Sequence, residues 1–290
     1  MKELAGKTGV VTGAASGIGR ALVLRMLEEG MRVVAADVDE AGIQALAEDS
    51  PDVAAVRCDV TDPASCEHLA QAVWDRFGGV HLLCNNAGVI GRFAPVWDQD
   101  PDDWRWLFSV NVLGVANMLR AFVPRLLDQD APAHVVNTAS EAAFAARAYV
   151  GVYHASKHAV LAISETVAQE LEEEGAPIRV SVLCPGGVDT RVLDAARNRP
   201  GDLTPEREEA GAAAALRARY GRQLPGAMAP EDVAGAVIDG IRNERFYIFS
   251  HPEVAQLAAE RAEAVANDTY PRLAPRLAAA LQRDLSRSTR

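Results

Sequence analysis

Short β-branched runs alternate with helical patterns along the chain, and this alternation restricts the fold more than any other feature of the sequence. The run Thr8–Thr12 precedes a helical pattern over 17–29, in which Ile18, Leu22 and Met26 share one face. The same order of strand and helix repeats to residue 249. Because parallel neighbouring strands need long, usually helical crossovers, the pattern predicts a parallel sheet with helices on both faces.

The predicted fold class is α/β, a Rossmann-like, doubly wound parallel sheet of about seven strands in one domain. Strands are predicted over 8–12, 31–37, 53–57, 80–84, 134–138, 178–183 and 246–249. Helices are predicted over 17–29, 63–77, 104–127, 152–173 and 231–242, with another ending at Leu46. We assign 1–250 to a dinucleotide-binding catalytic domain, 188–228 within it to a substrate-binding loop or lid, and 251–290 to a helical extension. Ligands of such sheets bind at the carboxyl ends of the strands.

Composition narrows the partners and the location. The net charge is −11 and the pI is about 5.1, which argues against a nucleic-acid partner. We see no run near the roughly 20 apolar residues of a membrane span and no signal-peptide core, so we expect a cytoplasmic protein. No C-x-x-C pair or metal-ligand histidine spacing occurs, so we expect no metal and four buried, reduced cysteines.

The first predicted strand runs into a glycine-rich loop, Thr12-Gly13-Ala14-Ala15-Ser16-Gly17-Ile18-Gly19. Glycines let the backbone turn sharply and approach a pyrophosphate, and the following helix offers free N–H groups and the positive end of its dipole. The spacing is G-x-x-x-G-x-G. Simple turn chemistry is the alternative, but the position between strand and helix favours phosphate binding.

Asp37 ends the second predicted strand, 24 residues after Gly13. A carboxylate there can accept hydrogen bonds from adenosine ribose hydroxyls and would repel a 2′-phosphate. We therefore predict NAD as the cofactor, with NADP less favoured. Asp37 could instead cap the next helix, and Arg20 or Arg32 could reverse the preference.

Tyr153 and Lys157 lie four residues apart in a predicted helix and so share one face. A phenol has a pKa of about 10, and a nearby ammonium would lower it, which would make the tyrosine a usable acid or base. The same spacing also occurs by chance on solvated helices. The pair gains weight from the other motifs.

The motifs occur together with Asn85-Asn86-Ala87-Gly88, Asn111, Ser140 and Pro185-Gly186. This set resembles the short-chain dehydrogenase/reductase family over roughly residues 5–250. The resemblance implies that Tyr153 transfers the proton and Ser140 binds the substrate oxygen. It also implies that Lys157 binds the nicotinamide ribose and that Asn111 interrupts its helix and holds a water that links Lys157 to solvent.

The resemblance further implies a set of cofactor contacts. Asp59 and Val60 would hold the adenine, and Pro185, Gly186, Val188 and Thr190 would contact the nicotinamide. The full cofactor set is Gly13, Ser16, Gly17, Ile18, Gly19, Asp37, Asp59, Val60, Asn86, Ala87, Gly88, Tyr153, Lys157, Pro185, Gly186, Val188 and Thr190, with Asn85 beside it.

Three segments should surround the substrate: 89–93 with Trp97 beyond, 141–144 with Tyr149, and the insert 188–228, whose length suggests a mobile lid. Small side chains at Ala142 and Ala143 predict room for a fairly bulky, mostly apolar alcohol or ketone. Glu141 faces either solvent or a polar group of the substrate.

The expected activity is NAD-dependent interconversion of a secondary alcohol and a ketone. Alternatives are a nicotinamide-binding sensor or scaffold without turnover, and a related oxidoreductase acting on a ring diol or an enoyl group. The resemblance also implies a homodimer or homotetramer that pairs through helices 111–127 and 152–173. In the extension, 253–266 reads as a helix, followed by an apolar stripe of Leu273, Leu277, Leu281 and Leu285.

Overall fold

The fold was analysed in a computed structural model that describes residues 1–203, 207–224 and 227–271. All seven predicted strands are present and belong to one sheet. They are β1 (Thr8–Thr12), β2 (Arg32–Asp37), β3 (Val53–Arg57), β4 (Leu82–Asn85), β5 (Ala133–Thr138), β6 (Ile178–Cys184) and β7 (Tyr247–Phe249).

Nine α-helices lie in the described ranges. They are α1 (Gly17–Glu28), α2 (Glu40–Asp49), α3 (Pro63–Phe77), α4 (Pro101–Phe108), α5 (Gly114–Gln129), α6 (Gly151–Glu173), α7 (Gly211–Gln223), α8 (Pro230–Arg242) and α9 (Pro252–Ala266). The helix boundaries follow local chemistry. Asp62 caps α3 by accepting a hydrogen bond from the Ala64 N–H, Pro63 occupies its first turn, and Gly78 ends it with φ of +73°.

The strand order is β3-β2-β1-β4-β5-β6-β7, and every pairing is parallel. The order reverses between β1 and β4, which leaves a crevice at their carboxyl ends. Both faces of the sheet are buried. Cluster residues from α3, α5 and α6, among them Phe122 and Val160, cover one face, and residues from α1 and α8, among them Leu22 and Ile238, cover the other. The prediction of a doubly wound sheet is confirmed.

Three regions add to the sequence-based picture. The helix predicted over 104–127 is α4 and α5 joined by a wider π-helical turn, Ser109–Leu113, which contains Asn111. The insert 188–228 is not simply a loop, since it contains a 3₁₀ segment, Val192–Asn198, and α7. The helix α9 confirms the helix predicted over 253–266. The leucine stripe from Leu273 to Leu285 lies outside the described residues. The division of the chain at residue 250 stays a prediction.

One helical run, 101–129, is long and apolar enough to cross a membrane by those two criteria, although the sequence analysis found no such run. Half of its most apolar window is buried inside the fold, and α5 packs on α3. One side of this run therefore belongs to the buried core that covers the sheet. All four cysteines are free and buried, as predicted.

Candidate active site

The glycine loop is shaped by contacts that exclude side chains. Gly13 and Gly17 have φ of +67° and +53°. A Cβ on Gly19 would lie 2.0 Å from the carbonyl oxygen of Gly13, so this glycine serves close packing of α1 against the loop. A Cβ on Gly17 would lie 3.0 Å from the Thr190 methyl group, which places the segment after β6 against the loop. The glycines leave a backbone-lined cradle at the amino end of α1.

Asp37 holds this loop and does not cap the next helix. Its Oδ2 accepts the Ala15 N–H at 2.9 Å, and its Oδ1 accepts the Asp39 N–H at 3.0 Å. The cap of α2 is Asp39, which accepts the Gly42 N–H at 3.1 Å. The carboxylate therefore fixes the far end of the loop and borders the crevice.

The arginine aligned with Asp37 is Arg57, and not Arg20 or Arg32, the two that the sequence suggested. Arg32 lies at the opposite end of the strands, where its Nη2 donates to Thr8 Oγ1 at 3.2 Å and its guanidinium stacks on Phe77. Arg20 is exposed on α1. Arg57 is aligned with Asp37 across the β2–β3 pair and lines the crevice, although the sequence analysis did not weigh it.

Thr12 joins the two strands at the switch point. Its Oγ1 accepts the N–H groups of Asn86 and Ala87 at 3.0 and 3.1 Å, and its carbonyl oxygen accepts from Asn86 Nδ2 at 3.1 Å. Asn85 is buried and donates to Asn137 Oδ1 at 2.8 Å. These bonds explain why a threonine precedes the glycine loop, since it positions the end of β4 beside that loop.

A cleft of about 530 Å³ runs from the glycine loop to Tyr153. Twelve of the predicted residues line it: Gly13, Ser16, Gly17, Ile18, Asp37, Asp59, Val60, Asn86, Ala87, Gly88, Pro185 and Thr190, together with both Tyr153 and Lys157. We call the part bordered by Gly13, Asp37 and Asp59 the nucleotide half. We call the part bordered by Val89, Trp106, Val110, Ala195 and Arg199 the substrate half.

Three of the predicted cofactor residues already have partners within the protein. Asp59 Oδ1 accepts from both the N–H and the hydroxyl of Thr61, at 2.9 and 2.7 Å, so this carboxylate already closes a turn. Gly186 donates its N–H to His251 Nδ1 at 3.2 Å. Val188 is buried and pairs through a β-bridge with Met228. Gly186 and Val188 are not among the residues that border the cleft.

Lys157 and Asn111 form a buried polar group under the cleft. Lys157 Nζ donates to the Thr138 carbonyl oxygen at 2.9 Å, and burial lowers its pKa to about 8. Asn111 Oδ1 accepts the Val89 N–H at 2.8 Å, and its Nδ2 donates to Val89 O and Ser156 Oγ, both at 3.0 Å. A Cβ on Gly88 would lie 3.2 Å from Lys157 Nζ, so a side chain there would crowd the ammonium. Asn111 thus holds the π-turn against β4; a bound water at Asn111 stays a prediction.

Tyr153 and Ser140 meet at the junction of the two halves. The Ser140 hydroxyl lies near enough to the Tyr153 phenol to affect its pKa, and Ser140 Oγ accepts the Ala142 N–H at 3.1 Å. The expected direction of the Tyr153 pKa is wrong for the cofactor-free protein. Burial raises it, the Ser140 hydroxyl lowers it in part, and the charge on Glu141 raises it further. Lys157 does not reverse this effect, because its ammonium lies 5.8 Å from the ring centroid and is directed at a carbonyl.

Only some of the residues expected around the substrate border the cleft. Val89 borders the cleft, but Trp97 is 90% exposed, and Phe144 packs on Phe249 with 5.9 Å between the ring centroids. Glu141 forms an ion pair with Arg147 at 2.9 Å, so its carboxylate has a partner within the protein.

The sequence indicated the insert 188–228 but not the individual side chains that close the cleft. Trp106 and Val110 come from α4 and the π-turn, and Ala195 and Arg199 close the substrate half from the insert, where Arg197 also borders the cleft. Arg197 Nη2 donates to Ser16 Oγ at 3.2 Å, which joins the insert to the glycine loop. No local motif signals these residues, because they reach the cleft only through tertiary packing.

The glycine-rich loop, Tyr153 and Lys157 all border one cleft, which is the arrangement of a nicotinamide-dependent oxidoreductase acting on CH–OH groups. Comparison with known proteins supports this class. The sequence model of the short chain dehydrogenases matches residues 7–201. The chain belongs to the short-chain dehydrogenase/reductase family.

Individual relatives are similar over most of their length. The 1-deoxy-11-beta-hydroxypentalenate dehydrogenase of Streptomyces avermitilis is 41% identical over 254 residues, 85% of this chain and 85% of its own. The 3beta-hydroxysteroid dehydrogenase 2 of Eggerthella lenta is 34% identical over 65% of this chain and 74% of its own. A short chain dehydrogenase/reductase from Burkholderia phymatum, solved in complex with NAD, superposes with a TM-score of 0.90 at 39% identity, covering 94% of this chain and 99% of that one.

Proposed function

We propose that this protein is an NAD-dependent dehydrogenase that interconverts a bulky secondary alcohol and its ketone. The observation that carries the proposal is the meeting of Ser140 and Tyr153 above the buried Lys157, at the point where the nucleotide half joins the substrate half. The relatives support this proposal, since they include a hydroxypentalenate dehydrogenase and a hydroxysteroid dehydrogenase.

The residues present fit a dinucleotide. The cradle around Gly13 and Gly17 would take the pyrophosphate against the amino end of α1. Asp37 would accept the adenosine ribose hydroxyls, and Lys157 would donate to the nicotinamide ribose. Arg197, bound to Ser16 Oγ, lies at the edge of the same cradle. A bound nicotinamide accepts or returns the hydride of the carbinol carbon.

The side chains of this protein then have to manage one proton. In alcohol oxidation Tyr153 Oη takes the hydroxyl proton while the carbonyl forms, and in ketone reduction it returns that proton. The Ser140 hydroxyl orients the substrate oxygen and stabilises its developing charge. Because burial raises the pKa of Tyr153, the cofactor-free enzyme holds a protonated phenol at neutral pH, ready to act as an acid.

The preference for NAD over NADP rests on Asp37. Its carboxylate would lie beside the 2′ position and repel a phosphate there. The NAD-bound structure of the Burkholderia relative agrees with this assignment. Arg57 is the cation that could oppose it, since it lines the cleft beside Asp37.

We also infer a cytoplasmic homodimer or homotetramer. Leu113 and Leu127 of the 111–127 run are 55% and 38% exposed, which suits a surface that pairs with a second copy. Light scattering coupled to size exclusion tests this inference, and a monomer would contradict it.

The activity test is NADH formation followed by near-ultraviolet absorbance, with NAD or NADP and a panel of cyclic, aromatic and aliphatic secondary alcohols. We expect turnover of bulky alcohols with NAD. Tyr153→Phe should lower kcat by about 10²- to 10⁴-fold and leave NADH binding intact. Turnover with NADP alone would overturn the cofactor assignment, and unchanged turnover in Tyr153→Phe would overturn the catalytic assignment.

A further inference from the structure

Three charged side chains are buried together at the outer wall of the substrate half. Asp103 of α4, Arg92 after β4 and Arg199 of the insert have side chains that are only 1%, 6% and 8% exposed. Arg199 Nη1 donates to Asp103 Oδ1 at 2.6 Å, and Arg92 Nε lies 3.5 Å from Asp103 Oδ2. The cluster therefore holds two cations and one anion.

The donors of Arg199 are unequally used. Its Nε donates to the Leu203 carbonyl oxygen, and its Nη1 is bound to Asp103. Its Nη2 is buried and has no hydrogen-bond partner. The guanidinium carbon lies 4.9 Å above the ring of Trp106, so the group is held flat. One N–H edge of a fixed, buried guanidinium is thus unsatisfied.

Three acidic groups of the neighbouring described segments are engaged elsewhere. Asp98 pairs with Arg207, and Asp102 pairs with Arg105. Glu209 pairs with Arg217 and accepts the Phe93 N–H. Within the ranges 1–203, 207–224 and 227–271, Asp103 is the only carboxylate paired with Arg199. One positive charge in the cluster remains without a described counterion.

Arg199 borders the same cleft as Tyr153. Around it the cleft is lined by apolar side chains, namely Val89, Trp106, Val110, Ala195 and Pro200. A buried cation with unused hydrogen-bond donors is unfavourable unless an anion approaches it. An oxyanion is what a guanidinium edge recognises best.

We propose that Arg199 binds a carboxylate of the substrate, so that the substrate is a bulky hydroxy acid or keto acid. The apolar carbon skeleton lies between Tyr153, which meets the hydroxyl or keto oxygen, and Arg199, which meets the carboxylate. This inference rests on the proposed function for the hydroxyl end alone. A cofactor phosphate is the other anion near the cleft, but Arg199 lies over Trp106 in the substrate half, whereas Arg197 reaches Ser16 of the glycine loop.

The test compares a keto-decalin carboxylate with its methyl ester, which has the same skeleton without the charge. Binding of each to the protein–NADH complex is measured by quenching of NADH fluorescence, and turnover of the corresponding alcohols is measured with NAD. We expect the wild-type protein to prefer the carboxylate by roughly 10- to 100-fold in both measurements. Arg199→Gln should remove this preference and leave the ester and NADH binding within about twofold, because the glutamine amide can still donate to Asp103.

Arg199→Lys should restore part of the preference, since it keeps the charge. Arg105→Gln, which removes an exposed arginine of α4, is the matched control and should change neither ligand. Equal binding of carboxylate and ester by the wild-type protein would overturn the inference even if Arg199→Gln did not fold. Weakened NADH binding in Arg199→Gln would assign the arginine to the cofactor and also overturn it. Carboxylate binding that depends on Arg199, without turnover of any alcohol, would support the anion site and count against the proposed function.

Discussion

The two halves of the cleft are built by different means. The nucleotide half is made mainly of backbone: glycines and N–H groups, with the carboxylates of Asp37 and Asp59, at or just after the ends of β1, β2 and β3 and close together in sequence. The substrate half is made of side chains that come from α4, the π-turn and the insert, about 90 residues apart along the chain. The shape of the nucleotide half depends on glycines where a side chain would clash. The shape of the substrate half depends on buried charged side chains that pack together, such as Arg199 and Asp103.

Two buried cations border the cleft, Lys157 under the junction of the halves and Arg199 in the substrate half, and they differ in kind. Lys157 is held by a neutral carbonyl and has a pKa lowered to about 8. Arg199 is held by a carboxylate, and its side chain is a planar guanidinium with several fixed N–H donors. The nucleotide half should therefore be sensitive to added volume, the junction at Lys157 to pH, and the substrate half to charge removal.

The largest expected effect is the response of the glycine loop to a single added methyl group. Gly19→Ala places a Cβ 2.0 Å from a backbone oxygen of the glycine loop, so it should lower the free energy of unfolding by about 3 kcal/mol or more and abolish NADH binding. Gly187→Ala, where nothing lies within 4 Å, should change stability by less than about 0.5 kcal/mol. Urea unfolding and NADH fluorescence measure both, and equal effects of the two substitutions would remove the distinction.

The next difference is the pH dependence of the two cations. A lysine pKa of about 8 in the folded protein and about 10.5 in the unfolded chain means that the unfolded state binds the extra proton between these values. The charge on buried Lys157 therefore lowers the free energy of unfolding most below pH 8. This loss becomes smaller by about 3 kcal/mol as the pH rises to 10.5. The stability of Lys157→Met relative to the wild-type protein should fall by up to that amount over this range.

Arg199→Met supplies the contrast. Arginine stays protonated across the same range, so the stability difference between Arg199→Met and the wild-type protein should not vary with pH. Urea titrations of the cofactor-free proteins at pH 7.5, 9 and 10 would show both behaviours. A flat difference for Lys157→Met would mean that its ammonium is solvated in the cleft.

What the sequence could predict follows the same division. The seven strands, the glycine loop, Asp37 and the Tyr153–Lys157 pair are local patterns, and the parallel sheet brings their ends together at one edge. Asp103 and Arg199 carry no local pattern, since each looks like an ordinary surface charge until α4 and the insert pack together. The pKa of Tyr153 was mispredicted for a related reason: spacing places Lys157 on the same face, but burial and the direction of its ammonium depend on Thr138 of β5.

A smaller effect should separate cofactor selection from substrate selection. Asp37→Asn removes the charge that repels a 2′-phosphate, so the ratio of kcat/KM for NADP to that for NAD should rise by roughly tenfold or more, about 1.4 kcal/mol. Asp39→Asn removes the same charge from the cap of α2 and should leave the ratio unchanged. Preference between carboxylate and ester substrates should be the same in both variants. An unaltered cofactor ratio in Asp37→Asn would place the 2′ position near Arg57 instead.

The smallest expected effect lies in the substrate half and has the opposite sign to that of Gly19. Gly221 lies in the last turn of α7, where an added Cβ would meet only Leu193 Cδ1, at 4.0 Å. Gly221→Ala should therefore raise the free energy of unfolding by about 0.5–1 kcal/mol, because alanine loses less backbone entropy in a helix. NADH affinity should not change. A gain in stability would show that α7 unfolds together with the sheet, as expected if its packing of Tyr220 on Phe93 holds the insert closed over the substrate half. No gain would mean that α7 melts separately before the sheet, and the substrate half would then be the less stable of the two.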